Sequence, residues 1–258
     1  MSEVKLGLPR RVGRAEIVAA IRAACPPVLF TLARRLIHGH QRTWALNDLD
    51  RKLRKYLDYP NGYFVELGAN DGITQSNTIL FEKTLGWRGV LIEPVPHNYL
   101  ACLHNRATDN KVFCNACTSF DYKDRFVEIV FANLMSCPVG LDSDVRDPFA
   151  HAEEGSQFLA ETDRVFSFGA IARPLSDILV EAGAPQTIDL LSLDVEGAEL
   201  EVLKGIDHRR FRFKYMCIEC REISRLSAYL SEQGYECVEK LSYHDYLFAA
   251  SSGWPLRQ

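Results

Sequence analysis

A chain of 258 residues, 47% hydrophobic and 25% charged, can bury one sizeable core and has the composition of a globular domain rather than a disordered or fibrous one. A formal net charge of -4 excludes a broadly basic surface and gives no reason to expect a nucleic-acid partner. The charge is uneven: residues 1–60 hold 12 Lys and Arg against 5 Asp and Glu, and the rest of the chain holds 18 against 29.

In chain order, the first sixty residues read as a basic helical extension. Helical spacing predicts helices over 14–24, 27–38 and 47–58, with Pro26 and Pro27 at the first junction and Asn47 or Asp48 as a cap for the third. The apolar run from Ile17 to Ala33 is broken by Arg22 and the two prolines, so neither a leader peptide nor a membrane span is expected. The expected location is the cytoplasm. Such a basic arm suits peripheral contact with an anionic membrane face, a surface between copies of the chain, or a solvated helical face.

From Tyr63 the pattern changes. Short apolar strands are predicted at 63–67, 88–92, 111–114, 188–193, 214–219, 235–240 and 246–250. They alternate with helices at 74–85, 96–106, 175–182, 197–204 and 222–233. This predicts an α/β fold, a Rossmann-like, mostly parallel sheet with crossover helices. Only Leu241 to Asp245 separate the last two strands, too little for a crossover, so they should form an antiparallel hairpin. Between 121 and 172 the alternation loosens into an insertion or lid, with strand-like runs at 126–132 and 165–172.

Eight cysteines in a chain of this length do not suggest a disulfide framework. The pairs Cys114/Cys117 and Cys217/Cys220 lie in strand-like runs, where positions i and i+3 point to opposite faces. Zinc is therefore not expected.

The stretch FVELGANDGITQSNT (64–78) carries the first chemistry. A strand ending at Leu67 runs into Gly68-Ala69-Asn70-Asp71-Gly72, at the sheet edge where open α/β sheets bind ligands. Glycines let the backbone approach a ligand, and helical N–H groups starting near Thr74 would receive a carboxylate. The loop is not G-x-G-x-x-G, and Glu66 and Asp71 beside it would repel a pyrophosphate but attract an ammonium. A zwitterionic cofactor fits better than a dinucleotide. RGVLIEP (88–94) ends in Glu93, about 25 residues beyond Gly68, placed to accept ribose hydroxyls. Asn115 and Ala116 follow the third strand at the adenine end. In IDLLSLDVEGAELEVLKG (188–205) a buried-type strand ends at Asp194, with Glu196 next to it. A base for a hydroxyl acceptor is sought among Asp194, Glu196 and Glu219, with His97 and His244 ranked below them. Arg88, Arg173 and Arg221 are candidates for an anionic acceptor.

VELGANDG, LIEP and above all LLSLDVEGAELEVLKG resemble the FkbM family of methyltransferases that use S-adenosylmethionine (SAM); the resemblance covers roughly residues 60–250. It implies methyl transfer from SAM to a hydroxyl of a sugar or glycan, lipid-linked or polysaccharide acceptors included. It also implies that Glu66, Gly68, Asn70 and Glu93 hold the cofactor and that Asp194 lines the transfer site. Asp71 departs from the family pattern, where an apolar residue is usual. Asp71 and Ser76 join the cofactor set by position, and a metal requirement is left open. The rival readings are a non-catalytic binding module on the same fold and an NAD(P)-dependent, sugar-modifying oxidoreductase.

Overall fold

The computed structural model describes residues 43–161 and 163–251, and the predicted helices over 14–24 and 27–38 lie outside them. The described chain starts with a 3₁₀ turn (Leu46–Asp48) and α1 (Leu49–Leu53). This is shorter than the expected helix over 47–58. Asn47 and Asp48 sit at φ 54° and 57°, outside helical geometry, and neither caps. The acid that organises the turn is buried Asp50, which accepts hydrogen bonds from Thr43 Oγ1 (2.6 Å) and Trp44 N (3.0 Å). Leu49, Leu53 and Leu57 pack with Phe64, Leu91 and Leu190 of the sheet. The packed body therefore takes in residues ahead of Tyr63.

The strands follow as β1 (Tyr63–Leu67), β2 (Arg88–Ile92), β3 (Lys111–Phe113), β4 (Ala116–Thr118), β5 (Phe126–Phe131) and β6 (Cys137–Val139). They continue with β7 (Phe166–Pro174), β8 (Thr187–Leu193), β9 (Arg212–Glu219), β10 (Tyr235–Lys240) and β11 (Asp245–Ala250). Seven of them form one sheet in the order β10-β11-β9-β8-β1-β2-β3. Its pairs from β3 across to β9 are parallel, and β11 runs antiparallel to both β9 and β10. The predicted sheet and its terminal hairpin are both present.

The helices that follow are α2 (Ile79–Leu85), α3 (Pro96–Asn105), α4 (Pro148–Gly155), α5 (Leu175–Ala182), α6 (Glu199–Leu203) and α7 (Ile223–Glu232); α4 packs on β5 and β6, and the others cover the two faces of the sheet. Val65, Leu67, Leu191 and Leu193 pack with Leu175, Ile178 and Leu226 on one face, while Phe64 and Leu190 pack with Phe81 and Cys102 on the other. Neighbouring residues of one strand thus serve opposite cores, which gives buried strands their continuous apolar runs. Cys217 and Cys220 likewise belong to different cores.

The insertion builds a second, four-stranded sheet in the order β4-β7-β5-β6. β5 and β7 are the two strand-like runs expected there; β6 and α4 lie within the stretch that reads as irregular. Asp147 caps α4, its Oδ1 accepting from Phe149 N and Ala150 N. Among the described residues no helix is long and apolar enough to cross a membrane.

A buried histidine makes stability depend on pH. His208 contacts the rings of Tyr229 and Tyr235, and its Nδ1 is buried without a hydrogen-bond partner among the described residues. Burial, with the nearby charge of Arg212, pushes its pKa down to about 4. An unfolded histidine titrates near 6.5, so on acidification the unfolded chain takes up this proton first. The stability His208 permits is complete above about pH 6.5 and is lost as pH falls towards about 4, by roughly 3 kcal/mol in all. Denaturant unfolding of the wild type and His208→Leu at pH 7.5 and 4.5 should show a smaller acid-induced loss in the variant.

Candidate active site

β1 and β2 deliver their carboxyl ends to one edge of the sheet. Gly68 N and Ala69 N donate to Ile92 O (3.1 and 3.2 Å), and Asn70 N donates to Glu93 Oε2 (2.8 Å). The backbone here has no room for a side chain. Gly68 stands at φ +73°, and a Cβ on it would lie 1.9 Å from the carbonyl oxygen of Asp194. The glycine therefore lets β1 and β8 release their loops into the same space.

That space is a cavity of about 310 Å³. Gly68, Asn70, Glu93, Asn115 and Ala116 line it together with Asp194, Glu196 and Glu219. The insertion closes the side with Asn133, Leu134, Met135, Pro138, Leu141, His151 and Phe158. Asn70 Nδ2 reaches Asn133 Oδ1 at 3.1 Å and so ties the glycine loop to the insertion.

Three of the sequence candidates lie elsewhere. Glu66 faces away from the cavity and is buried, accepting from Ser76 Oγ (2.9 Å), Asn77 N (3.0 Å), Thr78 Oγ1 (2.6 Å) and Arg106 Nη1 (3.0 Å). Ser76 is buried in that same cluster. Asp71 accepts from Ile73 N, Thr74 N and Thr74 Oγ1, closing the turn. Because Thr74, Ser76, Asn77 and Thr78 are spent on these bonds, α2 starts at Ile79, five residues after the predicted start. The N–H groups expected to receive a carboxylate near Thr74 are occupied by protein.

The acid cluster is compact: ligand oxygens of Asp194, Glu196 and Glu219 lie within 4.8 Å of one another. Asp194 has an open edge on the cavity, yet burial of its carboxyl, followed by the charges of Glu219 and Glu196, raises its pKa well above the usual carboxylate range. Glu219 is also raised, by burial and by Glu196. Asp194 and Glu219 lie close enough to titrate as a pair, and burial with the charges around them favours the protonated form of that pair. Glu196 is held differently, its Oε2 taking Arg221 Nη2 and His151 Nε2, each at 2.9 Å. Three carboxylates are a donor set a divalent cation accepts, and Arg221 already compensates part of their charge.

The loop carrying these acids is strained and braced. Glu196 sits at φ 55° and Gly197 at φ 106°, and Glu199 ties the turn by accepting from Val195 N (3.0 Å) and Gly197 N (3.1 Å). A Cβ on Gly197 would meet Ser143 Oγ at 2.5 Å, so the insertion packs directly on the loop. Strain of this kind persists where the surroundings over-determine the backbone, and it clusters at functional sites.

The sequence candidates for an anionic acceptor are spent within the protein or sit elsewhere. Arg221 also approaches Asp144 (3.6 Å) and Glu219 (3.7 Å), Arg173 pairs with Glu181 (2.8 Å), and exposed Arg88 starts β2 at the opposite end of the strand. His151 and Asn133 are cavity residues that sequence reasoning missed.

A doubly wound sheet whose glycine loop and strand-end acids share one cavity is the layout of a nucleotide-cofactor transferase. Residues 66–237 match the profile described as the Methyltransferase FkbM domain. The chain belongs to the FkbM methyltransferase family, enzymes that take their methyl group from SAM. No curated protein matches the chain. Among solved structures it is similar to a protein of Pyrococcus horikoshii described as a candidate RNA methyltransferase, at 12% identity and TM-score 0.39, covering 80% of this chain and 81% of that one. TrmK of M. capricolum bound to S-adenosylhomocysteine (SAH) gives 11% identity and TM-score 0.39, covering 79% and 71%. A SAM-dependent methyltransferase of Geobacter sulfurreducens bound to SAH gives 12% and 0.36, covering 83% and 73%. Likenesses this faint carry no argument about substrate.

Proposed function

We propose that this protein transfers the methyl group of SAM to a hydroxyl of a sugar or glycan. The observation that carries the reading is the single cavity that the glycine loop and the acids line together beneath the insertion. The residues fit SAM: Gly68 leaves backbone room, Glu93 offers a carboxylate for the ribose, and Asn115 and Ala116 stand where the base would lie. Asp194, Glu196 and Glu219 outnumber Arg221, which is itself paired with Glu196, and an excess of acids suits a sulfonium and an uncharged acceptor. Pro138, Leu141 and Phe158 give the cavity an apolar wall for the flat face of a sugar ring.

When bound, SAM supplies an electrophilic methyl on a sulfonium, which departs as a neutral thioether. The chain's part is positioning and exclusion of water, where most of the rate effect of such a transfer arises. Asp194 and Glu219, both with raised pKa, donate when protonated and accept when ionised, and so can hold the acceptor's hydroxyl groups. Glu196 fixes Arg221 and His151 at the mouth of the acid cluster.

Calorimetric titration with SAM, with NAD⁺ as comparison, tests the reading. Micromolar binding of SAM, no binding of NAD⁺ and at least a tenfold loss in Glu93→Ala are expected. Burial pushes the Glu93 carboxyl up to about 7. The ribose requires the ionised form, so affinity should fall as pH drops through 7, by about tenfold per further pH unit. Absence of SAM binding by folded protein would favour the non-catalytic binding module.

A further inference from the structure

We propose that His151, a residue of the insertion, is the catalytic base that removes the acceptor's hydroxyl proton, with Glu196 as its positioning partner. The inference rests on the methyl-transfer reading and adds to it the group that accepts the proton.

Three observations converge on this imidazole. It lines the cavity beside Asp194, Glu196 and Glu219. Its Nε2 is 2.9 Å from Glu196 Oε2, and Glu196 is in turn fixed by Arg221 Nη2 at 2.9 Å. Its Nδ1 makes no hydrogen bond among the described residues and is not sealed from solvent. A neutral imidazole that gives its Nε2–H to a carboxylate must carry its lone pair on Nδ1. A carboxylate behind one ring nitrogen, with the other free of protein partners in a cavity-lining residue, is the arrangement of an oriented general base.

The surroundings make the arrangement specific. Asp147 caps α4 and the helix buries Ala152 and Gly155, the latter in contact with Met135 and Ala132, so the His151 backbone is anchored. Glu196 is held at its positive φ by the braced turn and by Cys137 Sγ, which reaches its carbonyl at 3.3 Å. The carboxyls closest by are less suited to the task. Asp194 and Glu219 are close, buried carboxyls whose raised pKa favours the protonated form, and Glu196 is engaged by Arg221 and by His151 itself.

In the step itself, the hydroxyl oxygen bonds to the methyl carbon as the carbon–sulfur bond breaks and its electron pair goes to sulfur. The hydroxyl proton passes to Nδ1, leaving an imidazolium paired with Glu196, which releases the proton to solvent after the ether product leaves. Charge balances, since the sulfonium's positive charge ends on the imidazolium.

The test has two arms. In the first, ¹⁵N NMR of the full chain with saturating SAH reads the His151 tautomer. The Nε2–H form is expected in the wild type, and Glu196→Gln should shift the His151 ring-nitrogen signals. An Nδ1–H tautomer, or ring signals indifferent to Glu196→Gln, overturns the proposal. In the second arm, SAH release is followed with methyl α-D-glucopyranoside as probe acceptor. His151→Ala and His151→Gln, the latter keeping an N–H for Glu196 without a basic nitrogen, should lose about 10²–10⁴-fold in kcat. SAM affinity should stay within threefold of wild type, and added imidazole should restore part of the rate to His151→Ala. Undiminished kcat, loss of SAM binding in parallel with kcat, or absence of rescue overturns it. A wild type inert towards the glycoside would count against the sugar reading alone, and the NMR arm would then decide the proposal.

Discussion

Replacing Arg106 with methionine should destabilise the protein by about 3–5 kcal/mol, the cost of stranding buried charge when one partner is removed. The Arg106 side chain is 0% exposed and serves two acids at once, Glu66 at 3.0 Å through Nη1 and Glu82 at 2.7 Å through Nε. Its remaining donors reach Gly72 O (3.2 Å) and Thr78 Oγ1 (2.9 Å), and its plane lies over the Phe64 ring at 5.2 Å. Methionine can fill much of this volume and leaves Glu66 and Glu82 buried without a cation. Lysine keeps the charge but has no planar fork to serve both acids, so Arg106→Lys should recover only part of the loss. A typical domain has about 5–15 kcal/mol in total, so the loss should be plain in urea midpoints. Mild acid should restore some of it, because an uncompensated buried carboxylate binds a proton more readily in the fold than in the unfolded chain. If Arg106→Met unfolds within 1 kcal/mol of wild type, the buried Glu66–Arg106–Glu82 cluster adds little to stability.

The same cluster shows why one part of the site was legible and another was not. The run VELGANDG placed β1, its exit glycine and the cavity edge of the sheet, because strand period, turn residues and sheet topology are local signals. Glu66 in that run looks like a cofactor ligand. What assigns it to the interior is Arg106, which lies 40 positions along at the end of α3. Nothing in the spacing of either residue announces the other. The shortened α2 has the same origin: Ser76, Asn77 and Thr78 bond to Glu66 instead of extending the helix. Glu93 and Asp194 do reach the cavity, because a strand-end acid needs no distant partner to get to the edge. His151 was missed because it sits in a stretch without periodicity, where only the fold brings it to within 2.9 Å of Glu196. A histidine three positions into a Pro-started, Asp-capped helix, DPFAH, was the available signal.

Gly68→Ala should all but abolish SAM binding while its matched control leaves binding intact. Two separate penalties meet at Gly68. Its φ of +73° disfavours any L side chain, by about 1–2 kcal/mol. Its Cβ would also stand 1.9 Å from the Asp194 carbonyl oxygen, which belongs to backbone and cannot rotate away. Relief requires β1 and β8 to part at their carboxyl ends, moving Asp194 and breaking the bonds from Gly68 and Ala69 to Ile92. Gly183 isolates the first penalty, since it has φ +66° at the end of α5 and nothing within 4 Å of its would-be Cβ. Gly183→Ala should therefore lose about 1–2 kcal/mol of stability with SAM affinity unchanged. Gly68→Ala should lose 1–3 kcal/mol more, roughly the overpacking cost, and at least 100-fold in affinity by calorimetry. Equal stability losses in the two variants, with SAM binding retained in Gly68→Ala, would mean that the loops after β1 and β8 are not held together at this glycine.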